Sequence, residues 1–385
     1  MITNKGKNIL SKFLISQAPA YASYIAIGCG PKPLSAVDML DDVAAASKTE
    51  LDFEMLRLPI VSRGYIKDDA NPTLEKIVFT AELPTEERYE ITEVGVYSAG
   101  NNPSAVGFDS RMLYTFSENE GWKYNDANIN SLTDLDTTLP DDENSNIINV
   151  PDEAFFFTST NRIFGNANRV ARYERPRILN GSLAIIGDSS ELPPLSIDGE
   201  MIPETGSKYI SLTGASVNLN KNAPTDLLKV AFSVMNTDGN DEEQIPDEVQ
   251  LLVQFRSSAN ENVYANMQIS LGNGTAGPDD GEHDFTTNRY VVATQALQDL
   301  YYKPGFSWGL VDEVHVYASA VVSGTPSDNF YVALDGIRLD NTTTQNPLYG
   351  LTGYTVFKTT SGETVIKNQN TKNYIEFRFG IDVGV

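Results

Sequence analysis

NYIEFRFGIDVGV, residues 373–385, closes the chain with the alternation of a β-strand. Ile375, Phe377, Phe379 and Ile381 occupy every second position, with charged residues or glycine between them. A period of two predicts a strand with one buried face, and a lone strand is unstable without a partner. The sheet that this strand joins therefore decides how the whole chain is organised.

The composition predicts a folded, strongly acidic protein. The length of 385 residues is sufficient for two or three domains. Hydrophobic residues make up 41% of the chain and aromatic residues 10%, which indicates a folded core. Its net charge of −24 repels phosphate backbones and anionic lipids, so neither nucleic acid nor a membrane is an expected partner. The acidity indicates a solvated surface or, alternatively, a patch that binds calcium or a basic partner.

A single cysteine, Cys29, excludes an internal disulfide and a cysteine-based zinc site. A buried free thiol is the default, and it suits folding in a reducing cytoplasm. The preceding FLISQAPAYASYIAIGCG ends like a lipoprotein cleavage site, but its Gln, Pro and Tyr residues interrupt any continuous apolar helix. We expect instead a helix over 2–14, with Ile9, Leu10, Phe13 and Leu14 on one face, followed by a strand at ASYIAIG.

The pattern beyond the first helix is mostly that of strands. One further helix is predicted at 37–46, and strands at 51–67, 76–83 and 89–98. Residues 101–151 are rich in Asn, Asp, Ser and Thr, which predicts an exposed acidic insertion. A stretch rich in proline, glycine and acidic residues at 186–208 then separates the first periodic region from a second.

Seven strand candidates follow in that second region, without a helix between them. They are YISLTGASVNL, LLKVAFSVMN, EVQLLVQFRS, VYANMQISLG, RYVVATQAL, EVHVYASAVV and FYVALDGIRLD. Strands at this spacing with turn residues between them are typical of a β-sandwich, most simply a jelly roll of two antiparallel sheets.

The closing strand could complete the sandwich or return to the first domain. We expect the return, because FYVALDGIRLD reads as the last strand of the sandwich and NTTTQNP leads away from it. The fold class predicted is mainly β, with a jelly-roll module inserted into a discontinuous α+β platform. The platform comprises residues 1–178 and 347–385, and the module comprises residues 179–346.

Few residues carry recognisable chemistry. Of the two histidines, His315 lies in a strand, opposite in face to its valine neighbours, and His283 lies in an acidic loop where calcium binding is a weak alternative to a solvated turn. No nucleophile elbow, phosphate loop or dinucleotide fingerprint occurs. We therefore predict no enzyme activity, no cofactor and no metal site.

One short stretch concentrates aromatic rings. LYYKPGFSWG supplies Tyr301, Tyr302, Phe306 and Trp308, which could stack on a sugar ring as a glycan-binding platform. The same residues could equally cap the sandwich core or form a subunit contact. The three alternatives stay open at the level of sequence.

Two stretches of the first domain carry a resemblance. ITNKGKNILSKFL provides Ile2, Thr3, Gly6 and Lys7, and YIAIGCG provides the glycines of a strand-ending turn, Gly28 and Gly30. ERYEITEVGVYSAG then provides Ile91, Glu93, Gly95 and Tyr97. Over about the first 100 residues the chain resembles the N-terminal attachment domain of phage tail-collar and tail-fibre proteins.

The resemblance implies a virion structural protein, assembled in the host cytoplasm and bound to other virion proteins. Such domains commonly form trimers, so a homo-oligomer is expected. We predict that the closing strand pairs with the sheet of Ile91, Glu93, Gly95 and Tyr97, and that the sandwich touches host-surface glycans. Other hypotheses are a bacterial carbohydrate-binding adhesin, a phage head decoration protein and a polysaccharide-degrading enzyme.

Overall fold

The computed structural model describes eighteen ranges of the chain, and every structural statement below concerns them. They are residues 1–17, 21–30, 42–67, 74–85, 89–99, 111–115, 123–125, 155–158, 181–186, 200–203, 209–236, 248–272, 290–322, 325–326, 330–341, 350–357, 365–368 and 370–382. The fold is mainly β, as predicted, with two α-helices in the described ranges.

The elements follow one another in this order. They are α1 Asn4–Leu14, β1 Tyr21–Gly28, α2 Asp42–Ser47, β2 Glu54–Lys67, β3 Leu74–Leu83, β4 Tyr89–Ile91, β5 Glu93–Ala99, β6 Arg111–Thr115, β7 Lys123–Asn125, β8 Phe155–Thr158, β9 Gly181–Ile186, β10 Tyr209–Thr213, β11 Leu227–Asn236, β12 Glu248–Ser257, β13 Asn260–Gly272, β14 Tyr290–Ala296, β15 Tyr301–Tyr302, β16 Glu313–Val322, β17 Thr325–Pro326, β18 Phe330–Asp340, β19 Gly350–Val356, β20 Val365–Lys367 and β21 Asn373–Asp382. All seven strands predicted between 209 and 340 are present.

The chain divides into two compact units. The first comprises Met1–Phe108 and Thr344–Val385, and the second comprises Asp109–Thr343. The prediction that residues up to 178 belong to the platform is therefore wrong, because β6, β7 and β8 pair with β18, β10 and β9 of the second unit. The Asn, Asp, Ser and Thr residues around them concealed these short strands, although RMLYT of β6 and FFFT of β8 are themselves rich in apolar residues.

The first unit is built on an antiparallel sheet in the order β19-β5-β1-β2-β3-β21. The closing strand lies at one edge, where Asn373 pairs with Leu83 and Asp382 with Leu74. Its Ile375 and Phe377 side chains are buried. The predicted return of the chain end to the first unit is thus confirmed, and Phe379 and Ile381 take part in the same backbone ladder.

The closing strand joins the sheet that contains Glu93, Gly95 and Tyr97, as predicted, but it is not the direct neighbour of their strand, and Ile91 lies in β4, which pairs with β20. β21 pairs with β3, and β19 occupies the edge beside β5, with Tyr354 opposite Gly95 and Leu351 opposite Tyr97. A Cβ at Gly95 would lie 2.5 Å from Leu351 Cδ1. The glycine therefore leaves the space into which Leu351 of β19 packs. The alternating pattern of β21 carries no information about this contact between β5 and β19.

The start of the chain is bonded to β19. Thr3 N donates to Thr352 O over 3.0 Å, and Tyr354 N donates to Met1 O over 2.9 Å. The Thr3 hydroxyl also caps α1 by accepting from Gly6 N at 2.9 Å. Both ends of the described chain thus join the same sheet.

Helix α1 buries less of its apolar face than predicted. Ile9 is buried, as is Gly6, while Leu10, Phe13 and Leu14 are exposed. The first turn approaches the backbone of Thr352 closely, so the helix contacts the sheet through its amino-terminal half. The carboxyl-terminal half keeps an apolar surface that no described residue covers.

The second unit is a sandwich of two antiparallel sheets. The seven-stranded sheet has the order β15-β13-β12-β16-β10-β7, with β17 paired to β16. The six-stranded sheet has the order β14-β11-β18-β9-β8, with β6 paired to β18. Inward side chains of both sheets form one core, for example Val253 and Val316 from the first and Val230 and Ile337 from the second. The described strands therefore establish a β-sandwich.

Replacing Gly6 with alanine should destabilise the first unit. The new Cβ would lie 2.2 Å from Thr352 O, a backbone atom that cannot move without disturbing β19. We expect a loss of about 1–3 kcal/mol in the free energy of unfolding of this unit, measured by denaturant titration. Gly64→Ala is the control, since its Cβ would meet Val78 at 3.9 Å, and an equal loss in both variants would contradict the expectation.

Candidate functional site

Three residues of the resemblance, Gly28, Gly30 and Glu93, meet around one buried carboxylate, that of Glu93. Glu93 Oε1 accepts from Phe53 N at 2.8 Å and from Gly30 N at 3.2 Å. Its Oε2 accepts from Asp52 N at 2.9 Å and from the Tyr354 hydroxyl at 3.0 Å. The carboxylate therefore joins four segments of the first unit, including the segment that returns after the second unit.

Gly28 and Gly30 make this approach possible. A Cβ at Gly28 would lie 2.4 Å from Glu93 Oε1, and one at Gly30 would lie 2.6 Å from Asp52 Cβ. Thr92 fixes the same turn, because its N donates to Gly28 O and its hydroxyl donates to Gly30 O, each over 3.0 Å. The glycines are thus required by close packing against a carboxylate.

The other residues of the same strand pattern are also buried. Ile91 pairs with Val365 of β20, and Tyr97 packs beneath the Arg57 guanidinium, 3.8 Å from its ring centroid. Because these side chains point into the unit, they stabilise its internal strand pairing and present no outer surface. Sequence reasoning missed Tyr354, whose only signal was its place in the alternating NPLYGLTGYTVFK segment.

The environment of Glu93 shifts its proton affinity. Burial raises the pKa of Glu93 to about 7, and the nearby Asp52 carboxylate acts in the same direction. Hydrogen bonds from the backbone of Phe53 and Asp52 act in the opposite direction, since they favour the ionised form. Burial prevails, so Glu93 titrates close to neutral pH.

The aromatic residues at 301–308 are divided between the inner and the outer face of one sheet. Trp308 belongs to the core, edge-on to Phe255 at 5.1 Å and to Phe306 at 5.0 Å. Tyr302 lies beside this group and is 37% exposed. Tyr301 is paired with Asn266, on the outer side of the sheet.

The structure therefore does not bring the four predicted glycan-binding rings onto one surface. Alternation along β15 separates Tyr301 from Tyr302, and Phe306 and Trp308 fill the edge of the core. This arrangement fits the alternative in which the stretch caps the sandwich. Glycan binding by these four residues stays a prediction.

His315 lies on the outer face of the seven-stranded sheet, opposite in direction to Val314 and Val316, as predicted. Its Nδ1 is 3.0 Å from Arg256 Nη1, and its Nε2 is 3.4 Å from Glu313 Oε2. Burial, followed by the charge of Arg256, lowers the pKa of His315 to about 3. The imidazole is therefore neutral, with Nδ1 accepting from the guanidinium and the proton on Nε2 facing Glu313.

Metal chemistry finds no support in the described ranges. They contain no group of three or more His, Cys, Asp or Glu side chains that could hold an ion. The acidic loop around His283 lies outside these ranges, and Cys29 is buried and takes no part in a disulfide. None of the described helices is long and apolar enough to cross a lipid bilayer.

Comparison with known proteins does not identify a family for this chain. A scan against models of known protein families gave no match, and a search of curated proteins gave none. The resemblance to phage attachment domains therefore rests on the motif residues. In the structure those residues account for a tightly packed glycine turn around Glu93.

Glu93→Gln should change how the stability of the first unit depends on pH. A folded-state pKa near 7 against an unfolded value near 4.5 means that the folded state binds more protons between these values. The contribution of Glu93 to stability is thus present below about pH 4.5 and is lost as the pH rises towards 7. Denaturant titrations between pH 4.5 and 7.5 should show this slope in the wild type and a shallower one in the variant.

An amide has one acceptor oxygen where the carboxyl group has two. Glu93→Gln should therefore also lower the free energy of unfolding by about 1–3 kcal/mol at acidic pH. Glu376→Gln is the matched control, because Glu376 is exposed on β21. A slope that is identical in Glu93→Gln and the wild type would refute the assigned shift.

His315→Asn should remove a pH dependence of opposite sign from the second unit. The depressed pKa means that the unfolded state gains its proton first, so stability is lost as the pH falls from about 6.5 towards 3. Fluorescence-monitored unfolding at pH 7 and pH 4.5 should show a smaller difference in the variant than in the wild type. His283→Asn, which replaces the other histidine of the chain, should leave the wild-type difference in place.

Proposed function

We propose that the protein is a non-enzymatic structural protein of a bacteriophage virion, in the tail, baseplate or fibre region. Its first unit attaches to neighbouring virion proteins, and its second unit is carried as a module. The assembly is a homo-oligomer, with a trimer favoured by the resemblance of residues 2–14, 28–30 and 91–97 to attachment domains. The protein is assembled in the host cytoplasm and resides in the virion.

One observation carries the proposal, namely the uncovered apolar end of α1. Phe13 is 54% exposed and Leu14 is 82% exposed, and Leu10 and Ile15 continue the same surface. Exposed apolar groups that adjoin one another are typical of a surface buried on association. We call Leu10, Phe13, Leu14 and Ile15 the α1 apolar surface.

Charge supports a docking role for the same helix. Residues 4–14 contain Lys5, Lys7 and Lys12 and no acidic residue, in a chain whose net charge is −24. A basic helix on an acidic chain is attracted to an acidic surface, such as that of a second copy or of a similarly acidic virion protein. The lysines would steer the encounter, and the α1 apolar surface would supply the contact area.

The connectivity also suits a protein that bears a module. The second unit begins at Asp109 and ends at Thr343, and the chain on both sides of it belongs to the first unit. The chain leaves the first unit after β5 and returns to it at β19, and these two strands pair in one main-chain ladder. An inserted module is thus tied to its base at two points.

We infer that the sandwich is a jelly roll. Eight strands support this: β14-β11-β18-β9 are neighbours in one sheet and β13-β12-β16-β10 in the other. Along the chain, the members of this set of eight change sheet at every step except the β12–β13 hairpin. The double Greek key of a jelly roll has this crossing pattern. Neighbouring strands within each sheet are therefore mostly not consecutive in the chain.

Labelling of particles tests the proposed location. A gold-conjugated antibody against the purified chain should bind virions produced by cells that encode it, at the tail or baseplate, in negative-stain electron microscopy. Label on bacterial surfaces in the absence of particles would overturn the proposal in favour of an adhesin. Label on the capsid would place the protein among head decoration proteins.

A double variant, Phe13→Ser with Leu14→Ser, tests the α1 apolar surface. Because both side chains are exposed, the variant should fold as the wild type does, yet its amount per purified particle should fall at least tenfold. Tyr65→Ser with Ile66→Ser is the matched control, since these residues are also exposed and apolar but lie on β2. Equal incorporation of both variants would refute docking through α1.

A further inference from the structure

The outer face of the seven-stranded sheet carries a row of tyrosines. Along β12, Val249, Leu251, Val253 and Phe255 point into the core, so the alternate residues of this sheet point outward. The outward set includes Tyr209 on β10, Tyr264 on β13, Tyr301 on β15 and Tyr317 on β16, accompanied by Arg256 on β12 and by Lys303. We call these six residues the tyrosine face.

One half of the tyrosine face is held by ring contacts. Tyr209 stacks on His315 with 4.5 Å between centroids and lies 5.0 Å from Tyr317. Met201 and Leu252 pack against the same rings. Tyr209 stays partly exposed, so one ring is presented to solvent on a fixed apolar support.

The other half is held by a cation and a carboxylate. Lys303 Nζ lies 5.4 Å from the ring centroids of both Tyr264 and Tyr301 and 2.7 Å from Glu200 Oε2. Glu200 is buried and also accepts from the Tyr264 hydroxyl. Tyr264 and Tyr301 are each partly exposed, so two more rings are fixed in position at the surface.

Hydrogen-bonding groups lie between the two halves. Gln254 Nε2 donates to Asn266 Oδ1 at 3.1 Å, and both amides are buried on the outer side of the sheet. Arg256 is partly exposed beside the neutral His315. The imidazole therefore neither adds a second positive charge nor neutralises the guanidinium. The buried amide pair thus supports the face from beneath, and Arg256 is the group between the two halves that can bond to a hydroxyl.

This combination identifies a class of ligand. Outer faces of sandwiches normally present polar side chains to water, whereas this face fixes three partly exposed rings among amides and cations. A saccharide offers a matching surface, with C–H groups on the face of each ring and hydroxyls around its edge. Recognition sites in general combine apolar rings with a few placed polar groups in the same way.

Electrostatics favours a neutral sugar over an acidic one. The chain has a net charge of −24, which repels a polyanion. Lys303 is already paired with Glu200, and Arg256 has Glu261 at 3.9 Å. Little positive charge is thus left to hold a uronic acid.

We propose that the tyrosine face is a binding site for a neutral saccharide, with sugar rings against Tyr209 and Tyr264 and hydroxyls bonded to Arg256. The inference deepens the proposed function, because it names where a displayed module would take host-surface glycan. The proposed site shares Tyr301 with the four rings predicted from the sequence, but it does not include Tyr302, Phe306 or Trp308.

Binding of the purified full chain to a printed array of bacterial polysaccharides, neutral and uronate-containing, tests the site. The wild type should bind at least one neutral polysaccharide. Tyr209→Ala and Tyr264→Ala should each lower the affinity for it about tenfold or more, as expected for loss of one ring contact. Tyr209→Phe should bind as the wild type does, because the ring is kept.

Tyr374→Ala is the control, since Tyr374 is an exposed tyrosine of the first unit. Thermal unfolding of each variant separates lost binding from lost folding. The proposal is overturned if the wild type binds no neutral polysaccharide, if it binds only uronate-containing ones, or if both alanine variants bind as the wild type does. Particle incorporation is measured separately, so failure here leaves the virion role standing and failure there leaves this site standing.

Discussion

The first unit depends on the burial of one carboxylate. Glu93 accepts hydrogen bonds from Gly30, Asp52, Phe53 and Tyr354, which come from three segments other than its own. A buried carboxylate without such donors would be strongly destabilising, so each segment must be in place for the others to be stable. The interaction therefore couples the glycine turn after β1 to a strand that follows the second unit, and it explains why glycine is needed at positions 28 and 30.

That coupling has a mechanical consequence for a chain that carries an inserted module. The residues on either side of the sandwich belong to one sheet, with β5 and β19 adjacent and β21 at the opposite edge. A force applied to the module would be borne by hydrogen bonds across two strand pairs. The same arrangement leaves the carboxyl-terminal half of α1 without a partner in the described ranges, and this is the surface that we assign to docking.

The sandwich shows how one sheet can serve two purposes. Its inner face is uniformly apolar and closes the core, while its outer face alternates fixed tyrosine rings with amides and cations. The depressed pKa of His315 belongs to this outer face and follows from burial beside Arg256. Side chains that stabilise the sheet from outside thus also form the tyrosine face, the surface that we propose for saccharide binding.

The sequence by itself determined most of the strands, because a period of two records which side chains are buried. It placed 373–382 in a strand, gave all seven strands from 209 to 340, and set His315 on an outer face. Only the tertiary structure decided which strands are neighbours, that 109–178 belongs to the second unit, that Tyr354 reaches Glu93, and that Tyr301 is separated from Trp308. The physical reason is that periodicity is a local property of one segment, whereas pairing and burial depend on contacts between residues hundreds of positions apart.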